Sequence, residues 1–264
     1  MWLYRVIGLA AFLLVWLLAS SSLQRVNPRA STILPSPIEV FTVDISGLSV
    51  FADGLTMNDW SKAVGVIGQQ SAISLLRLVC GGLVGVTAGI LTGMLLGYSP
   101  WVRALTEPVL LFIRTIPILA LIPLFLVWFG GSETGNIIYI GFAVFAMVVI
   151  NTIEAIRNVR PVYFQYARTL GASRFQAYRT VILPAMVPEL IGGIRVVLGL
   201  SWAIVLAAEY LASQSGLGRI LIMAEKWLYT GRMIVVIVLI IVYSLLLNWL
   251  FLKVAKHITR WMPE

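Results

Sequence analysis

Long apolar runs, each near the roughly 20 residues a helix needs to cross a bilayer, alternate with short polar stretches along the chain. The plainest is Met233 to Leu252, MIVVIVLIIVYSLLLNWLFL, which carries no charge. Asn136 to Ile153 is nearly as plain, and Trp2 to Ala19 carries only Arg5 close to its start. Three further runs have polar texture. Ser71 to Gly97 holds Arg77, Pro108 to Phe129 holds Arg114 with Pro117 and Pro123, and Ala185 to Leu211 holds Glu189, Arg195 and Glu209. The pattern predicts an all-α polytopic membrane protein with about six transmembrane helices. Irregular backbone cannot face lipid, so the internal prolines read as kinks packed against protein, and the three textured runs as inner helices.

Trp2 to Ala19 is followed by small residues, as a cleaved signal peptide would be, but its charged region is one arginine and it is read as an uncleaved span. From Ser20 to Gln70 the chain reads as an outer loop with short interfacial helices, marked by Pro28 and by LPSP at 34 to 37. The second span has a finer pattern: Gly81, Gly85, Gly89, Gly93 and Gly97 recur every four residues and stack on one helix face. Such a small-residue stripe lets helix backbones approach where lipid supplies no hydrophobic drive to association.

A mean hydropathy of +0.96 over 264 residues confirms the bilayer as the main solvent. The formal charge of +8 then speaks first to orientation, because cytoplasmic loops retain Lys and Arg. With both termini inside, Arg5, Arg103, Arg157, Arg160, Arg168, Arg174, Arg179, Lys253, Lys256 and Arg260 are cytoplasmic. Fewer basic residues, Arg25, Arg29, Lys62, Arg219, Lys226 and Arg232, fall outside, where several acids offset them. The charge excess therefore does not call for a nucleic-acid partner. One cysteine, Cys80, and one histidine, His257, assemble neither a disulfide framework nor a His/Cys metal site.

On the cytoplasmic side lies QYARTLGASRFQAYRTVILPAMVPELIGGIR, residues 165 to 195. Pro161 suits the first turn of a helix, Val162, Tyr166 and Leu170 follow, and Gly171 is the kind of residue that ends a helix in the left-handed region. Ser173 with Gln176 forms a capping box that opens a second short helix. Phe175, Tyr178, Val181 and Ile182 share one face of it, Arg174 and Arg179 lie elsewhere, and Leu183 with Pro184 stop it. Amphipathic helices of this kind also lie on anionic lipid.

Gln165-Tyr166-Ala167, Gly171 four residues after Ala167, and Val181-Ile182-Leu183-Pro184 after nine more resemble the EAA loop of ABC importer permeases. The spacing matches throughout, with Gln165 for the usual Glu, Tyr166 for the first Ala and Val181 for Ile. LPSP at 34 to 37, IRTIPILALIPLFLVWFG at 113 to 130, RTLGAS at 168 to 173 and AAEYLASQSGLG at 207 to 218 are similar to the nitrate, sulfonate, taurine and bicarbonate subgroup. The resemblance implies a type I importer-like fold. Residues 1–68 would form an N-terminal helix and periplasmic segment, 69–254 the permease core with its coupling loop at about 158–185, and 255–264 a cytoplasmic tail. It also implies a second permease copy, two cytoplasmic ATPase subunits and a periplasmic solute-binding protein. The coupling helix would sit in a cleft of the ATPase. ATP and Mg would be used there, because this chain contains no G-x-x-x-x-G-K-[ST] phosphate loop and no cofactor of its own is expected.

For the solute path, Arg114, Arg195 and Glu209 are the candidates, since intramembrane charge is costly and guanidinium groups suit oxyanions. The alternative is structural: the arginines snorkel or pair with Glu154 and Glu189, and Glu209 reaches the interface. A secondary transporter would share the span pattern without needing the basic helix-turn-helix, and a membrane enzyme would need convergent reactive groups that this sequence does not supply. A permease subunit moving a small anion, itself without catalytic activity, is what the resemblance implies. Both termini and the 158–185 loop should then be cytoplasmic. A reporter fused after Glu264 or inserted near Ser173 should stay inaccessible from outside intact cells, and accessibility there would overturn the orientation.

Overall fold

The computed structural model describes residues 2–26, 30–54 and 58–261, and among them every regular element is helical. The principal helices are α1 (Trp2–Val26), α2 (Trp60–Tyr98), α3 (Pro100–Thr115), α4 (Ile122–Phe129), α5 (Glu133–Arg157), α6 (Pro161–Thr169), α7 (Arg174–Ala177), α8 (Leu183–Ala212), α9 (Leu217–Lys226) and α10 (Thr230–Ile258). Five described helical stretches are long and apolar enough to cross a membrane: Val6–Val26, Trp60–Tyr98, Glu133–Arg157, Arg174–Tyr210 and Thr230–Ile258.

The run from Pro108 to Phe129, expected as one kinked span, is not among them. It breaks into α3, a 3₁₀ turn at Ile118–Leu121, and α4. A residue before proline is disfavoured in the helical region, and Ile116 accordingly adopts φ −72°, ψ 122°, with Pro117 extended at ψ 112°. The break does not strand every carbonyl: Tyr139 of α5 donates its hydroxyl to Ile118 O at 3.1 Å. Protein rather than lipid thereby satisfies part of the irregular backbone.

The contacts divide the chain into two compact units, residues 1–74 with 214–242, and residues 75–213 with 243–264. In the smaller unit the segment before α2 is a string of short helical turns. Ser36 and Glu39 close a capping box there. Arg232 is buried against Gly47, where a Cβ would meet its guanidinium, and lies 3.9 Å from the centre of the Tyr229 ring. Burial raises the Asp44 carboxyl above its ordinary range, against the opposing pull of Arg232. The turn into α9 is fixed by α2: Gly216, at φ 103°, gives its N–H to Gln70 Oε1 at 2.5 Å, and Leu217 gives its N–H to Ser74 Oγ at 2.9 Å.

In the larger unit α5 is the centre. Of its span 56% is buried, against 28% for that of α2 and 33% for that containing α8. This corrects the expectation that the textured runs are the inner helices, because apolar side chains suit a protein interior and a lipid tail equally. On one side α5 receives α2, whose five stripe glycines all face it. A Cβ at Gly81, Gly85, Gly89, Gly93 or Gly97 would lie closer than 3.0 Å to atoms of Ile140, Gly141, Val148, Thr152 or Ile156 respectively. On another side it receives α8, where Gly193 sits against Asn151. With 39 residues α2 is about 58 Å long, well beyond the roughly 30 Å hydrocarbon core, and it starts earlier than the expected Ser71.

The last expectation to change concerns Pro184. It does not stop a helix: α7 runs through a π-turn at Tyr178–Ile182 directly into α8, so Arg174–Tyr210 is one helical stretch. The wide turn, in which Leu183 N–H reaches back to Tyr178 O, gives the proline ring room beside a carbonyl it would otherwise strike.

The glycine face makes a paired prediction. Gly85→Val should lower the midpoint of thermal unfolding in detergent by the equivalent of about 1–3 kcal/mol, the usual cost of overpacking a tight contact. Gly82→Val, where a Cβ meets nothing within 4 Å, should leave it nearly unchanged. Equal effects at the two positions would show that the stripe is not an interhelical contact.

Candidate functional site

Residues 161–184 form a helix, a glycine turn, a short helix and a wide turn. Gly171 has φ +84°, a conformation L side chains enter at a cost. There the end of α6 is tied off by Gly171 N–H to Arg168 O and Ala172 N–H to Ala167 O, both 3.0 Å. Beyond it the capping box is complete: Gln176 N–H donates to Ser173 Oγ at 3.2 Å, and Ser173 N–H donates to Gln176 Oε1 at 2.8 Å.

The segment is fastened to the C-terminal end of α2. Tyr178 donates its hydroxyl to Met94 O at 2.6 Å, and its ring meets the edge of Tyr98 at 5.1 Å. Phe175 meets the same ring at 6.2 Å. Arg174 Nη2 donates to Tyr98 O at 3.1 Å with its guanidinium 5.6 Å from the ring centre. A cation at orphan carbonyls of a helix C-terminus is stabilising twice, by hydrogen bond and by dipole. This corrects the expected split of faces: Arg174 shares the Phe175 side and anchors it. Facing away, Gln165, Tyr166, Arg168 and Leu170 are exposed, Tyr166 at 66% and Leu170 at 86%, while Ala167, Val181 and Leu183 are half-buried and Pro184 is exposed.

At the other end of the larger unit is a charge cluster that sequence reasoning did not assemble. Arg77 of α2 is fully buried; its Nε donates to Glu133 Oε2 at 2.7 Å, its Nη2 to Glu133 Oε1, and its Nη1 to Glu209 Oε1 at 2.8 Å. Glu209 is itself fully buried, so the expectation that it reaches the interface does not hold. Beside it Asn136 donates to Ser213 Oγ at 3.3 Å, joining α5 to the end of α8. The signal was present in the sequence as one arginine and one glutamate inside apolar runs.

Arg195 is exposed and donates from Nε to Asn248 Oδ1 of α10 at 3.0 Å, while Glu189 accepts from Asn158. The considered pairing of Arg195 with Glu189 is therefore replaced by a bond that joins α8 to α10. Arg114 lies on α3, and its side chain falls outside what the structure describes. Between the α3 break, α5 and α8 runs a groove of about 260 Å³ lined by Ile116, Met147, Val197 and Leu200, with Asn151 and Glu154 as its polar members. Arg195 is not part of its wall. No cluster of three or more His, Cys, Asp or Glu suited to a metal ion occurs among the described residues.

Residues 85–261 match the profile of the binding-protein-dependent transport system inner membrane components. The chain belongs to that family. This permease is 33% identical over 258 residues to the taurine transport system permease protein TauC of Escherichia coli K12, across 97% of this chain and 88% of that one. It is 31% identical over 232 residues to the putative aliphatic sulfonates transport permease protein SsuC of Bacillus subtilis 168, across 88% and 79%. Its fold is similar to a chain of the MetNI methionine ABC transporter crystallised in inward facing conformations, with a TM-score of 0.58, 18% identity, and coverage of 76% of the permease and 98% of the neighbour. The permease is thus the membrane-spanning subunit of an ABC importer.

Arg77 and Glu209 form a fully buried ion pair with the exposed Glu133 at its edge, and removing one member of a buried pair leaves an uncompensated charge, at a cost of about 3–5 kcal/mol. Arg77→Met should accordingly lower the unfolding midpoint of the purified permease sharply. The triple variant Arg77→Met, Glu133→Gln, Glu209→Met should recover most of the loss. Additive losses would mean that the three side chains do not form one unit.

Proposed function

We propose that the permease works as one of two copies in a bacterial inner-membrane importer whose energy comes from two cytoplasmic ATPase subunits. The observation that carries this reading is the 161–184 segment: fixed at its middle by the Gly171 turn and the Ser173–Gln176 capping box, locked to the end of α2 through Tyr98 and Tyr178, and presenting exposed Tyr166 and Leu170 to a partner. A lever needs a rigid body, a fixed fulcrum and an uncovered apolar contact, and this segment has each. ATP and Mg belong to the partner, and a periplasmic binding protein delivers the solute.

The relatives' names support a small oxyanion such as a sulfonate as that solute. The groove with Asn151 and Glu154 places polar groups beside open space between α3, α5 and α8, and solute passes along it. Arg195, held by Asn248, and Glu209, held by Arg77, keep helices in register rather than bind the solute.

Gly171→Val tests the loop. A branched side chain enters the left-handed region at a cost of about 1 kcal/mol or more, and a Cβ there meets nothing within 4 Å, so strain of the turn is the sole perturbation. The variant should insert and fold, yet lose co-purification of the ATPase or lose solute-stimulated ATP hydrolysis in reconstituted membranes. Wild-type values of both would show that the segment lies on lipid instead of an ATPase.

A further inference from the structure

A groove of about 520 Å³ lies between α2, α8 and α10 of the larger unit and is absent from the transport scheme above. Its walls are apolar: Ile90 and Met94 of α2, Leu190 and Ile194 of α8, Phe251 and Val254 of α10. At one end stand Arg179 and Trp261. Lys253, Lys256 and Arg260 are exposed on the neighbouring turns of α10 and just beyond it, and the Lys253 ammonium lies 5.0 Å from the Trp249 ring centre. Arg179 is exposed and has no ion pair among the described residues.

Two features fix the occupant. From Leu183 to Ile194 the groove follows α8 for about 16 Å, close to half of the roughly 30 Å hydrocarbon core, which is the depth of one leaflet. Its polar end is basic and carries a tryptophan, the composition of the membrane interface on the cytoplasmic side.

We infer that the groove holds an acyl chain of an anionic phospholipid from the cytoplasmic leaflet, with the phosphate of its headgroup on Arg179. The site touches the coupling segment itself, because Arg179 belongs to the π-turn that joins α7 to α8. Lipid charge therefore bears on the segment that the ATPase is proposed to move. The assignment of the leaflet rests on the cytoplasmic placement of residues 158–185 proposed above.

The test uses the full-length permease in phosphatidylcholine vesicles carrying a trace of phosphatidylglycerol or of phosphatidylcholine, each with a photoactivatable group midway along one acyl chain. Peptides containing Leu190 to Ile194 or Phe251 should be labelled about fivefold more by phosphatidylglycerol, the worth of one basic side chain at an anionic surface. Arg179→Gln should reduce that excess to the phosphatidylcholine level, and Val187→Trp, which fills the groove, should remove labelling by both. Equal labelling by the two lipids, an excess that survives Arg179→Gln, or cross-linking of the groove to another polypeptide would overturn the assignment. No ATPase is present in these vesicles, so a failure of the coupling scheme leaves this result standing, and a misplaced loop shows up separately as Ser173 reporter accessibility.

Discussion

Five glycines let α2 lie directly on α5, and the larger unit is organised around that contact. In lipid, burying an apolar side chain against another helix gains little over leaving it among acyl chains, so close approach and dispersion decide which helices associate. Where α2 lacks Cβ atoms, Ile140, Val144, Val148, Thr152 and Ile156 of α5 reach its backbone. Fixing α2 in this way fixes the groups it carries. Arg77 is carried into the acids of α5 and α8, and Tyr98 is carried under the coupling segment. A displacement of the segment is then opposed by a helix braced along its length rather than by one side chain.

Much of this was legible in the residues. The four-residue glycine period has a single physical reading, and Gly171, Ser173 and Gln176 each announce a backbone state through local chemistry. What escaped was long-range. Arg77 and Glu209 are separated by 132 positions, and nothing local in either tells which acid meets which arginine. Inside and outside were misjudged for α5, because hydrophobicity does not distinguish lipid from protein contact. Proline was misjudged twice in opposite senses. Pro117 breaks a run that was read as kinked, and Pro184 is passed by a helix that was read as ended. Both outcomes depend on whether neighbours can satisfy or make room for the altered backbone, as Tyr139 and the π-turn do.

The fastening of the coupling segment also shows why aromatic residues cluster there. Tyr98 offers its ring to Phe175, Tyr178 and Arg174 while its carbonyl takes the Arg174 hydrogen bond. One residue at the end of α2 thus orients three residues of the segment, so that the segment's exposed face is set by geometry at α2 rather than by its own short helices. Four helical residues have little stability without the α8 they continue into and the Tyr98 ring they pack on. Their order is borrowed.

The wide turn at Tyr178–Ile182 has a consequence for the phase of everything after it. It accommodates one residue more than an unbroken α-helix would over the same rise, and each residue of an α-helix turns the face by about 100°. That surplus residue sets the azimuth at which α8 leaves the segment, bringing Met186, Leu190 and Ile194 round onto Ala155 and Ile156 of α5. Shortened by a single residue, the same sequence would remain helical on both sides of the turn, yet α8 would present to α5 a face turned by about 100° from the one that packs there. The turn is a phase offset written into the chain, and it keeps an anchored segment and a packed helix in step although each is held by different neighbours.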